Sequence, residues 1–424
     1  MKYLFTSFAL FFLFCHSYGQ DNLLLSKSIE KIVKKYNVTG LQVALILDGA
    51  VIYNSEFGYA NLAANKMVDS ETAFRIASIS KTITATAIMQ LYEQGKISLD
   101  EDISRYLGYK VRNPKYPDDK ITIRMLANHV SGLNDGWGYD DFLNATYSEK
   151  IPDIKELILP GGNFYTKDMW KSYKPAGGYV YCNCGYGLLG TIIEKVSGER
   201  FDIYCRKHIF EPLEMKSSFN VDDVDIKNLA ALYRNSIAQY DAYGLKKEPR
   251  DLSRYVTGTN AAAFSPQGGL RTSALDLAKF LLMHMNKGSW NNKKILDDTT
   301  ALTAHNYIFP YRGWKGLNFG SGVSFYFTQS LLKGQTLIGH AGGAYGLVSG
   351  MYFDKNRRYG IIFFANGGNY GPDENDSNTF ERTLMAVMYD YIRPKLSIEN
   401  EIFTDIDLLK NMPKDIFRMP KIKK

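Results

Sequence analysis

Apolar and polar residues follow different spacings along the chain, and these spacings predict where helices and strands lie. Residues 23–36 carry apolar side chains at helical intervals, which predicts an amphipathic helix. The apolar runs of residues 41–47 and 51–57 predict two strands. Asp48 and Gly49 between them are typical of a tight hairpin turn. Near its N-terminus the chain is therefore expected to form a helix and an antiparallel hairpin.

The central part of the chain predicts helices separated by loops. Residues 79–92 are mostly Ala, Ile, Thr, Met and Leu, which predicts a helix buried on nearly all sides. Three further helices are predicted, over residues 121–129, 188–196 and 274–285. They belong to a mostly helical lobe of about residues 100–300. Within it, residues 134–180 are aromatic-rich and irregular, and long segments of this kind are often functional.

The C-terminal part returns to strand patterns. Four apolar segments predict an antiparallel meander, over residues 322–328, 336–340, 347–353 and 359–365. A closing helix is predicted over residues 380–392. Strands at both ends around a helical middle predict an α/β (α+β) fold. In this fold the N- and C-terminal segments share one antiparallel sheet flanked by helices. The helical lobe is inserted between them, and a cleft lies at the junction.

The N-terminus carries the pattern of a targeting segment. Lys2 precedes an apolar run over residues 4–14, and Gly19 supplies a small residue for cleavage. This pattern predicts a signal peptide over residues 1–19 and a protein that is periplasmic or secreted. The run is too short for a transmembrane helix, which needs about 20 apolar residues. No later segment of the sequence is long enough for one either.

The cysteines give no framework of disulfides. Cys15 would permit a lipid anchor, but Phe14 stands where a lipoprotein signal has a small residue, which disfavours an anchor. The cysteines beyond the predicted signal peptide are Cys182, Cys184 and Cys205. An odd number in an exported protein is compatible with one bridge to Cys205 or with three buried thiols.

Composition and charge narrow the functional classes. The chain has 424 residues, of which 45% are hydrophobic, and this is ample for a large core. The net charge of +7 arises from 51 basic and 44 acidic residues spread along the sequence, which disfavours a nucleic-acid groove. The end of the chain is locally basic, and we expect residues 396–424 to form a solvated tail.

One motif has the spacing of a serine nucleophile and its base. Ser78 and Lys81 are three positions apart at the start of the predicted buried helix, so their side chains share one face. A serine hydroxyl attacks once a base takes its proton, and a lysine in a dry pocket can serve as that base. The helix N-terminus would stabilise a developing oxyanion. The alternative is that Ser78 only caps the helix.

Two further motifs follow. Tyr181 and Asn183 form a Tyr-x-Asn sequence, and residues 340–342 form the one His-x-Gly sequence of the chain. Glycines after Asn183 also fit the G-x-G-x-x-G of a dinucleotide turn; they are Gly185, Gly187 and Gly190. A Pro- and Gly-containing loop over residues 174–180 precedes them where that turn requires a strand, so we interpret them as sites of close helix packing. The neighbouring cysteines lack a second pair of zinc ligands. We therefore expect no cofactor and no metal.

The three motifs in this order resemble the serine β-lactamase and penicillin-binding protein superfamily. The likeness is to the branch with Tyr-x-Asn, which holds class C β-lactamases, D-peptidases, D-aminopeptidases and esterases. It extends over about residues 23–392 and is carried by FRIASISKTITATAIMQLYEQGKISLDEDIS, ITIRMLANHVSGL, YCNCGYGLLGTIIEKVSG, QGGLRTSALDLAKFLL and GHAGGAYGLVSG. The resemblance implies a β-lactamase-like serine hydrolase domain over residues 20–395 that works without metal or cofactor.

The resemblance also implies a role for each motif residue. Ser78 would be the acylated nucleophile, and Lys81 and Tyr181 would share the work of the base. Asn183 would hold Lys81 and the amide of the substrate. The backbone N–H groups of Ser78 and Gly343 would form the oxyanion hole. The residues expected to bind the substrate or its oxyanion are Asn183, His340, Gly342 and Gly343.

His340 departs from the pattern, because many relatives have lysine at this position. A histidine titrates near neutrality, whereas β-lactams and peptide C-termini present a carboxylate that a lysine would bind. His340 therefore disfavours a strong β-lactamase and leaves room for esters, amides and D-amino-acid N-termini. Arg271 could supply the missing charge or could be a solvated loop residue. His129, in the stretch NHVSGL, is expected to be structural.

We expect an exported serine hydrolase that cleaves amide or ester bonds through an acyl-enzyme on Ser78. The favoured substrates are D-amino-acid-containing peptides such as cell-wall fragments. A carboxylesterase or a weak β-lactamase is the enzymatic alternative. The non-enzymatic alternative is a module that kept the fold and binds or senses cell-wall peptides.

Overall fold

A computed structural model describes most of the chain between the two termini. The described residues are 20–234, 237–239, 251–306, 309–310, 320–370 and 379–396. The predicted signal peptide and residues 397–424 of the predicted tail lie outside them.

The described residues alternate between strand-rich ends and a helix-rich middle. The helices are α1 (20–35), α2 (Ser80–Glu93), α3 (Ile103–Leu107), α4 (Ile123–Ala127), α5 (Tyr139–Ala145), α6 (Lys155–Ile158), α7 (Cys184–Ser197), α8 (Phe201–Cys205), α9 (Ala274–Met285), α10 (Asp298–Ala304) and α11 (Thr379–Ile392). The strands are β1 (Gly40–Leu47), β2 (Ala50–Asn61), β3 (Lys66–Met67), β4 (Phe74–Arg75), β5 (Leu232–Arg234), β6 (Ile237–Gln239), β7 (Arg271–Thr272), β8 (Ser289–Trp290), β9 (Lys293–Lys294), β10 (Phe309–Pro310), β11 (Gly320–Ser321), β12 (Tyr326–Thr328), β13 (Leu337–Ala344), β14 (Leu347–Asp354) and β15 (Tyr359–Asn366).

A nine-stranded antiparallel sheet combines the two ends of the chain. Its strand order is β10-β11-β12-β13-β14-β15-β1-β2-β3. N-terminal β1 pairs with C-terminal β15, and Leu45 lies opposite Ile361. The turn between β1 and β2 places Asp48 at φ 46° and Gly49 at φ 82°, and two positive φ angles are typical of a tight hairpin. The predicted sheet of distant segments and the predicted hairpin are thus confirmed.

The two faces of the sheet bury different helices. Alternate residues of a strand point to opposite faces. Val43 and Leu45 pack in one apolar cluster with α1 and α11. Ala44 and Ile46 pack in the other, which includes α2, α7 and α9. This layering explains why β1 is buried throughout and why its sequence, apart from Gln42, is mostly apolar and does not alternate with polar residues.

Helix α2 lies in the interior, as predicted. Every residue from Ser80 to Leu91 is buried. The helix packs against α7 and α8 of the inserted lobe, while the turn that precedes it packs against β13 and β14. The start of α2 therefore lies where the sheet and the helical lobe meet, which is the expected cleft. None of the described helices has both the length and the apolar character to cross a membrane.

Two predicted elements differ in the structure. Residues 322–328 were expected to form one strand, but a turn between β11 and β12 lies within them. Ser324 has a φ of 65°, and the N–H of Gly322 donates to the carbonyl of Phe325 at 2.8 Å. The predicted helix over 121–129 is shorter, because α4 ends at Ala127 and His129 has a φ of 58°.

Two other elements are longer than predicted. Helix α7 begins at Cys184, directly after Asn183, rather than at residue 188. Strand β13 does not end at His340 but continues to Ala344. The His-x-Gly motif is therefore part of a strand and not of a turn. The extension of β13 places the His-x-Gly motif on a regular element, which holds side chains more rigidly than a loop does, while Asn183 lies at the cap of α7.

Candidate active site

Ser78 lies in a short 3-10 turn that leads into α2. The turn covers Ala77–Ile79, and Ala77 has a φ of 50°. A positive φ is costly for alanine, by roughly 1–2 kcal/mol, so the surroundings must hold this backbone in place. The hydroxyl of Ser80 does so by donating to the carbonyl of Ala77 at 2.6 Å. The alternative role of Ser78 as a helix cap is wrong, because Ile79 occupies the cap position and no side chain caps α2.

Lys81 is completely buried one helical turn beyond Ser78. Its Nζ lies 3.1 Å from Oγ of Ser78, 2.9 Å from Oδ1 of Asn183 and 2.7 Å from the carbonyl oxygen of Gln267. Burial lowers the pKa of Lys81 to about 7, although the charge of Asp135 acts in the opposite direction. A substantial fraction of this lysine is therefore neutral near pH 7.

Tyr181 reaches the same serine from the loop before α7. Its hydroxyl donates to Oγ of Ser78 at 2.7 Å, and its ring lies 4.8 Å from Nζ of Lys81. His129 supports this ring from behind, with a centroid distance of 4.3 Å. Nδ1 of His129 accepts the N–H of Cys182 at 3.1 Å, which agrees with the expected structural role.

Asp135 is a site residue that the sequence reasoning missed. Its carboxylate accepts the backbone N–H groups of Asn183 at 2.6 Å and Cys184 at 2.8 Å, and so caps the N-terminus of α7. It also accepts Nδ2–H of Asn183 at 2.9 Å, which turns Oδ1 of that amide toward Lys81. Asp135 lies 48 positions before Asn183, in the irregular segment, and no spacing rule connects the two.

His340 lies on β13 and is buried. Burial, together with the charge of Lys81, lowers its pKa to about 3, so it is neutral at ordinary pH. This differs from the expected titration near neutrality, because sequence alone gives no burial. Arg271, the other residue that could have supplied a positive charge, does not line either cavity at Ser78. Arg271 is a buried residue of β7 whose Nη1 donates to the carbonyl of Gly269 at 2.6 Å.

The glycines of the His-x-Gly stretch bring β13 close to Ser78. A Cβ on Gly342 would lie 2.3 Å from Oγ of Ser349 and 2.5 Å from the carbonyl oxygen of Ile76. No larger residue therefore allows this strand to approach the turn of Ser78. Gly343 has open space at its Cβ position, and it lines both cavities that adjoin Ser78.

Two cavities meet at Ser78. The first, of about 240 Å³, is the aromatic cavity; it is lined among others by Tyr179, Tyr181, Tyr326, Leu331, His340 and Tyr352. The second, of about 390 Å³, is the polar cavity; it is lined among others by Arg75, Asp135, Asp140, Asn183, Gln267 and Tyr345. The predicted site residues Ser78, Tyr181 and Gly343 line both of them. A substrate that reaches Ser78 can therefore place one part in each cavity.

The glycines and cysteines around Asn183 have structural neighbours. A Cβ on Gly190 would lie 2.6 Å from Cγ of Pro266, and one on Gly187 would lie 3.2 Å from Cβ of Ala262. Close helix packing, rather than a nucleotide, thus accounts for both glycines. A Cβ on Gly185 would lie 3.5 Å from its nearest neighbour, so this position has room for a side chain.

All three described cysteines are free and buried. The Sγ atoms of Cys182 and Cys184 lie 3.2 Å apart. With Asp135 they form the one group of three potential metal ligands among the described residues, with ligand atoms within 4.8 Å of one another. The carboxylate of Asp135 is already engaged by three N–H donors, which favours its capping role.

Comparison with known proteins gives a consistent assignment. The family model described as Beta-lactamase matches residues 25–384. Penicillin-binding protein 4* of Bacillus subtilis (strain 168) is 27% identical over 350 residues, which cover 81% of this chain and 71% of that protein. Protein flp of Staphylococcus aureus (strain N315) is 23% identical over 348 residues, which cover 81% of this chain and 62% of that protein.

Solved structures share the fold. An octameric penicillin-binding protein homologue from Pyrococcus abyssi has 26% identity and a TM-score of 0.64, over 88% of this chain and 76% of that chain. A D-amino acid amidase from Ochrobactrum anthropi SV3, complexed with L-phenylalanine, has 24% identity and a TM-score of 0.65, over 88% of this chain and 99% of that chain.

Proposed function

The chain belongs to the Beta-lactamase family, and from this we propose that it is an exported serine hydrolase whose acyl-enzyme forms on Ser78. One observation carries the proposal: Oγ of Ser78 lies within hydrogen-bonding distance of both Nζ of Lys81 and the hydroxyl of Tyr181. A nucleophile, a base and a proton donor are thus within reach of one another at the edge of two cavities.

The hydrogen bonds define a direction for the proton. A neutral lysine has two N–H donors and one lone pair. Oδ1 of Asn183 and the carbonyl of Gln267 can only accept, so they take the two donors. The lone pair of Lys81 is then left for the hydroxyl of Ser78, the one neighbour of the three that has a proton to donate. Lys81 is therefore the base in the proposed mechanism, and Tyr181 donates to Ser78.

The reaction proceeds in two halves. Oγ of Ser78 bonds to the carbonyl carbon of the substrate as its proton passes to Lys81, and the N–H groups of Ser78 and Gly343 stabilise the oxyanion. The C–N or C–O bond then breaks as the leaving group takes a proton through Tyr181. A water molecule then attacks the acyl carbonyl as Lys81 takes one of its protons, and the ester bond to Ser78 breaks as that proton returns to Oγ, which releases the acid and restores both residues.

We propose D-amino-acid-containing peptides, including cell-wall fragments, as the substrates. The similarity to penicillin-binding protein 4* supports this, and so does the fold shared with a D-amino acid amidase. Export of the chain would bring it to such fragments. A carboxylesterase is the second candidate, because the aromatic cavity offers a neutral apolar site. The neutral state of His340 gives a β-lactam carboxylate no cation at this position, so only weak β-lactamase activity is expected.

Intact-mass spectrometry tests the proposal. The protein without residues 1–19 and its Ser78→Ala variant are each incubated with a fluorophosphonate, a penicillin, p-nitrophenyl esters and D-alanyl peptides. We expect a fluorophosphonate adduct that is absent in Ser78→Ala, and the substrate panel then ranks peptidase, esterase and β-lactamase. A folded protein that forms no adduct with any probe would contradict the hydrolase and favour the peptide-binding module.

A further inference from the structure

A third cavity, which we call the outer cavity, adjoins the polar cavity. Its volume is about 230 Å³. The two cavities share four lining residues, which are Arg75, Asp140, Leu143 and Tyr345, so they lie side by side. Ser78 lines the polar cavity but not the outer one. A substrate bound at Ser78 can therefore extend through the polar cavity into the outer cavity.

Tyr345 stands at the boundary between these two cavities. With Gly346 it forms the two-residue turn between β13 and β14, and its φ is 56°. This backbone conformation is costly for a tyrosine, whereas asparagine or glycine adopts it readily. Cζ of Arg75 lies 5.0 Å from the centroid of the Tyr345 ring, and Cζ of Arg234 lies 5.9 Å from it. The ring is thus a fixed wall between the cavities, and backbone strain at such a place indicates a role for the side chain.

Three polar side chains of the outer cavity are available to a ligand. They belong to Asp140, Asn144 and Ser265, and none of them makes a hydrogen bond or an ion pair with another described residue. Asp140 and Asn144 are exposed residues of α5, so a ligand can reach them. A carboxylate accepts hydrogen bonds, whereas an amide and a hydroxyl both donate and accept. The outer cavity therefore offers hydrogen bonds of both directions.

The boundary between the two cavities carries one charge of each sign. Arg75 supplies a positive charge and Asp140 a negative charge. Arg75 is largely buried and is fixed by the hydrogen bond from its Nε to the carbonyl of Gly268 at 2.9 Å, so it acts on a ligand mainly through its field. A ligand group with a net charge would be attracted by one residue and repelled by the other. A peptide group is neutral, and it can turn its N–H toward Asp140 and its carbonyl toward Arg75.

We propose that the outer cavity is a subsite for a further residue of a peptide substrate, and that a peptide group of the substrate crosses the boundary between Arg75 and Asp140. The extended end of the peptide then exchanges hydrogen bonds with Asn144 and Ser265. The preferred substrate is accordingly an oligopeptide rather than the amide of a single amino acid. This inference deepens the proposed function and rests on it.

A series of neutral peptides of increasing length tests the subsite. The probes are D-alanine oligomers of one to four residues, N-acetylated and C-amidated so that neither end is charged. Their dissociation constants are measured by isothermal titration calorimetry with the Ser78→Ala variant, which lacks the nucleophile and leaves them intact. We expect affinity to rise about tenfold once an oligomer is long enough to enter the outer cavity, since one or two new hydrogen bonds contribute about that much. Affinity that does not rise with length, or no binding of any oligomer, would overturn the inference.

A bulky side chain in the outer cavity should remove this gain. Asn144 lines the outer cavity and not the polar cavity, so Asn144→Trp, combined with Ser78→Ala, fills the subsite. The ratio of long-oligomer to short-oligomer affinity should then fall to about one. Asp141→Trp is the matched control, because Asp141 is an exposed residue of the same helix that lines neither cavity, and there the ratio should stay high. Circular dichroism verifies the fold of both variants. A gain that persists in folded Asn144→Trp, or that is lost equally in both variants, would contradict the subsite.

The proposed function is monitored separately. Fluorophosphonate labelling of Ser78 in the natural protein reports the nucleophile and does not depend on the oligomers. Labelling without a gain in affinity with length rejects the outer subsite and leaves the hydrolase standing. A gain that Asn144→Trp removes, in a protein that is not labelled, would instead support the peptide subsite and contradict the acyl-enzyme.

Discussion

The hydroxyl of Tyr181 donates a 2.7 Å hydrogen bond to Oγ of Ser78, across 103 positions of the chain. The two residues come from different parts of the fold: Ser78 from the turn before α2, Tyr181 from the loop before α7. Packing between α2 and α7 sets their distance. The contact therefore requires the helical lobe to be packed against the sheet. Loss of that packing would separate Tyr181 from Ser78 and so impair catalysis.

Removal of the phenol hydroxyl should slow acylation strongly. In Tyr181→Phe the ring and its packing on His129 are kept, but the donor to Ser78 is lost. We expect the rate of fluorophosphonate labelling to fall by about a hundredfold or more, since groups that transfer protons contribute roughly 10²–10⁴. Intact-mass spectrometry of samples quenched at successive times measures this rate.

Tyr204→Phe is the matched control for that substitution. Tyr204 is also a buried tyrosine, and its hydroxyl has no hydrogen-bond partner among the described residues. It lies on α8 and lines neither cavity at Ser78, so the labelling rate of Tyr204→Phe should stay close to that of the natural protein. Unchanged labelling in Tyr181→Phe would remove this phenol from the mechanism.

Acylation should rise with pH through the titration of Lys81. The base needs a free lone pair, and burial lowers the pKa of Lys81 to about 7. Below that pH the ammonium form dominates, and kcat/KM should fall about tenfold per pH unit. The pKa of His340, at about 3, leaves that residue neutral over the range from pH 5 to 9. A pH profile of kcat/KM for a p-nitrophenyl ester locates the midpoint.

Asp135→Asn tests the assignment of that midpoint. The carboxylate of Asp135 stabilises the ammonium and so raises the pKa of Lys81 against the effect of burial. Without this charge the midpoint should move to lower pH. Asp141→Asn, an equal change of charge at an exposed residue of α5, should leave it in place. A midpoint that moves equally in both variants would point to a general charge effect and not to Lys81.

The local parts of the site could be predicted from the sequence, because local geometry determines them. Ser78 and Lys81 share a helix face through their spacing, and the apolar runs specify β1 and β15 and their place in a sheet. Asp135 and Gln267 could not be found in this way. Both act on Lys81 or Asn183 through contacts between distant segments, and neither stands in a motif spacing.

Burial was the other quantity that sequence did not supply. The glycines after His340 are common in turns, and they predicted the end of a strand. In the structure β13 continues through its pairing with β14, and position 342 needs a glycine because a Cβ there would collide with Ser349 and Ile76. Burial also keeps the imidazole of His340 neutral. Both corrections concern β13, whose pairing and burial depend on distant segments of the chain.

Two glycines of α7 should respond oppositely to alanine. In Gly190→Ala the new Cβ would lie 2.6 Å from Pro266 and 2.9 Å from Ala261, and overpacking of this kind costs about 1–3 kcal/mol. In Gly185→Ala the new Cβ meets its nearest neighbour at 3.5 Å, and the substitution restricts the unfolded chain without a clash. Urea denaturation should show a lower midpoint for the first variant and an equal or higher one for the second. Equal losses in both would contradict the packing assigned to Gly190.

The described thiols should be unreactive until the protein unfolds. Burial raises the pKa of each one, and a thiol reacts as its thiolate. A chain without residues 1–19 should therefore not react with dithiobis(nitrobenzoate) in its native state and should show three free thiols in guanidinium.

The 3.2 Å separation of the Sγ atoms makes Cys182 and Cys184 the pair to examine for oxidation. If they were bridged, denaturation would expose one thiol, and Cys184→Ser would expose two because it releases Cys182. The reduced form of that variant also has two free thiols, so the variant does not distinguish the two states. The natural chain does, because it has three free thiols when Cys182 and Cys184 are reduced and one when they are bridged.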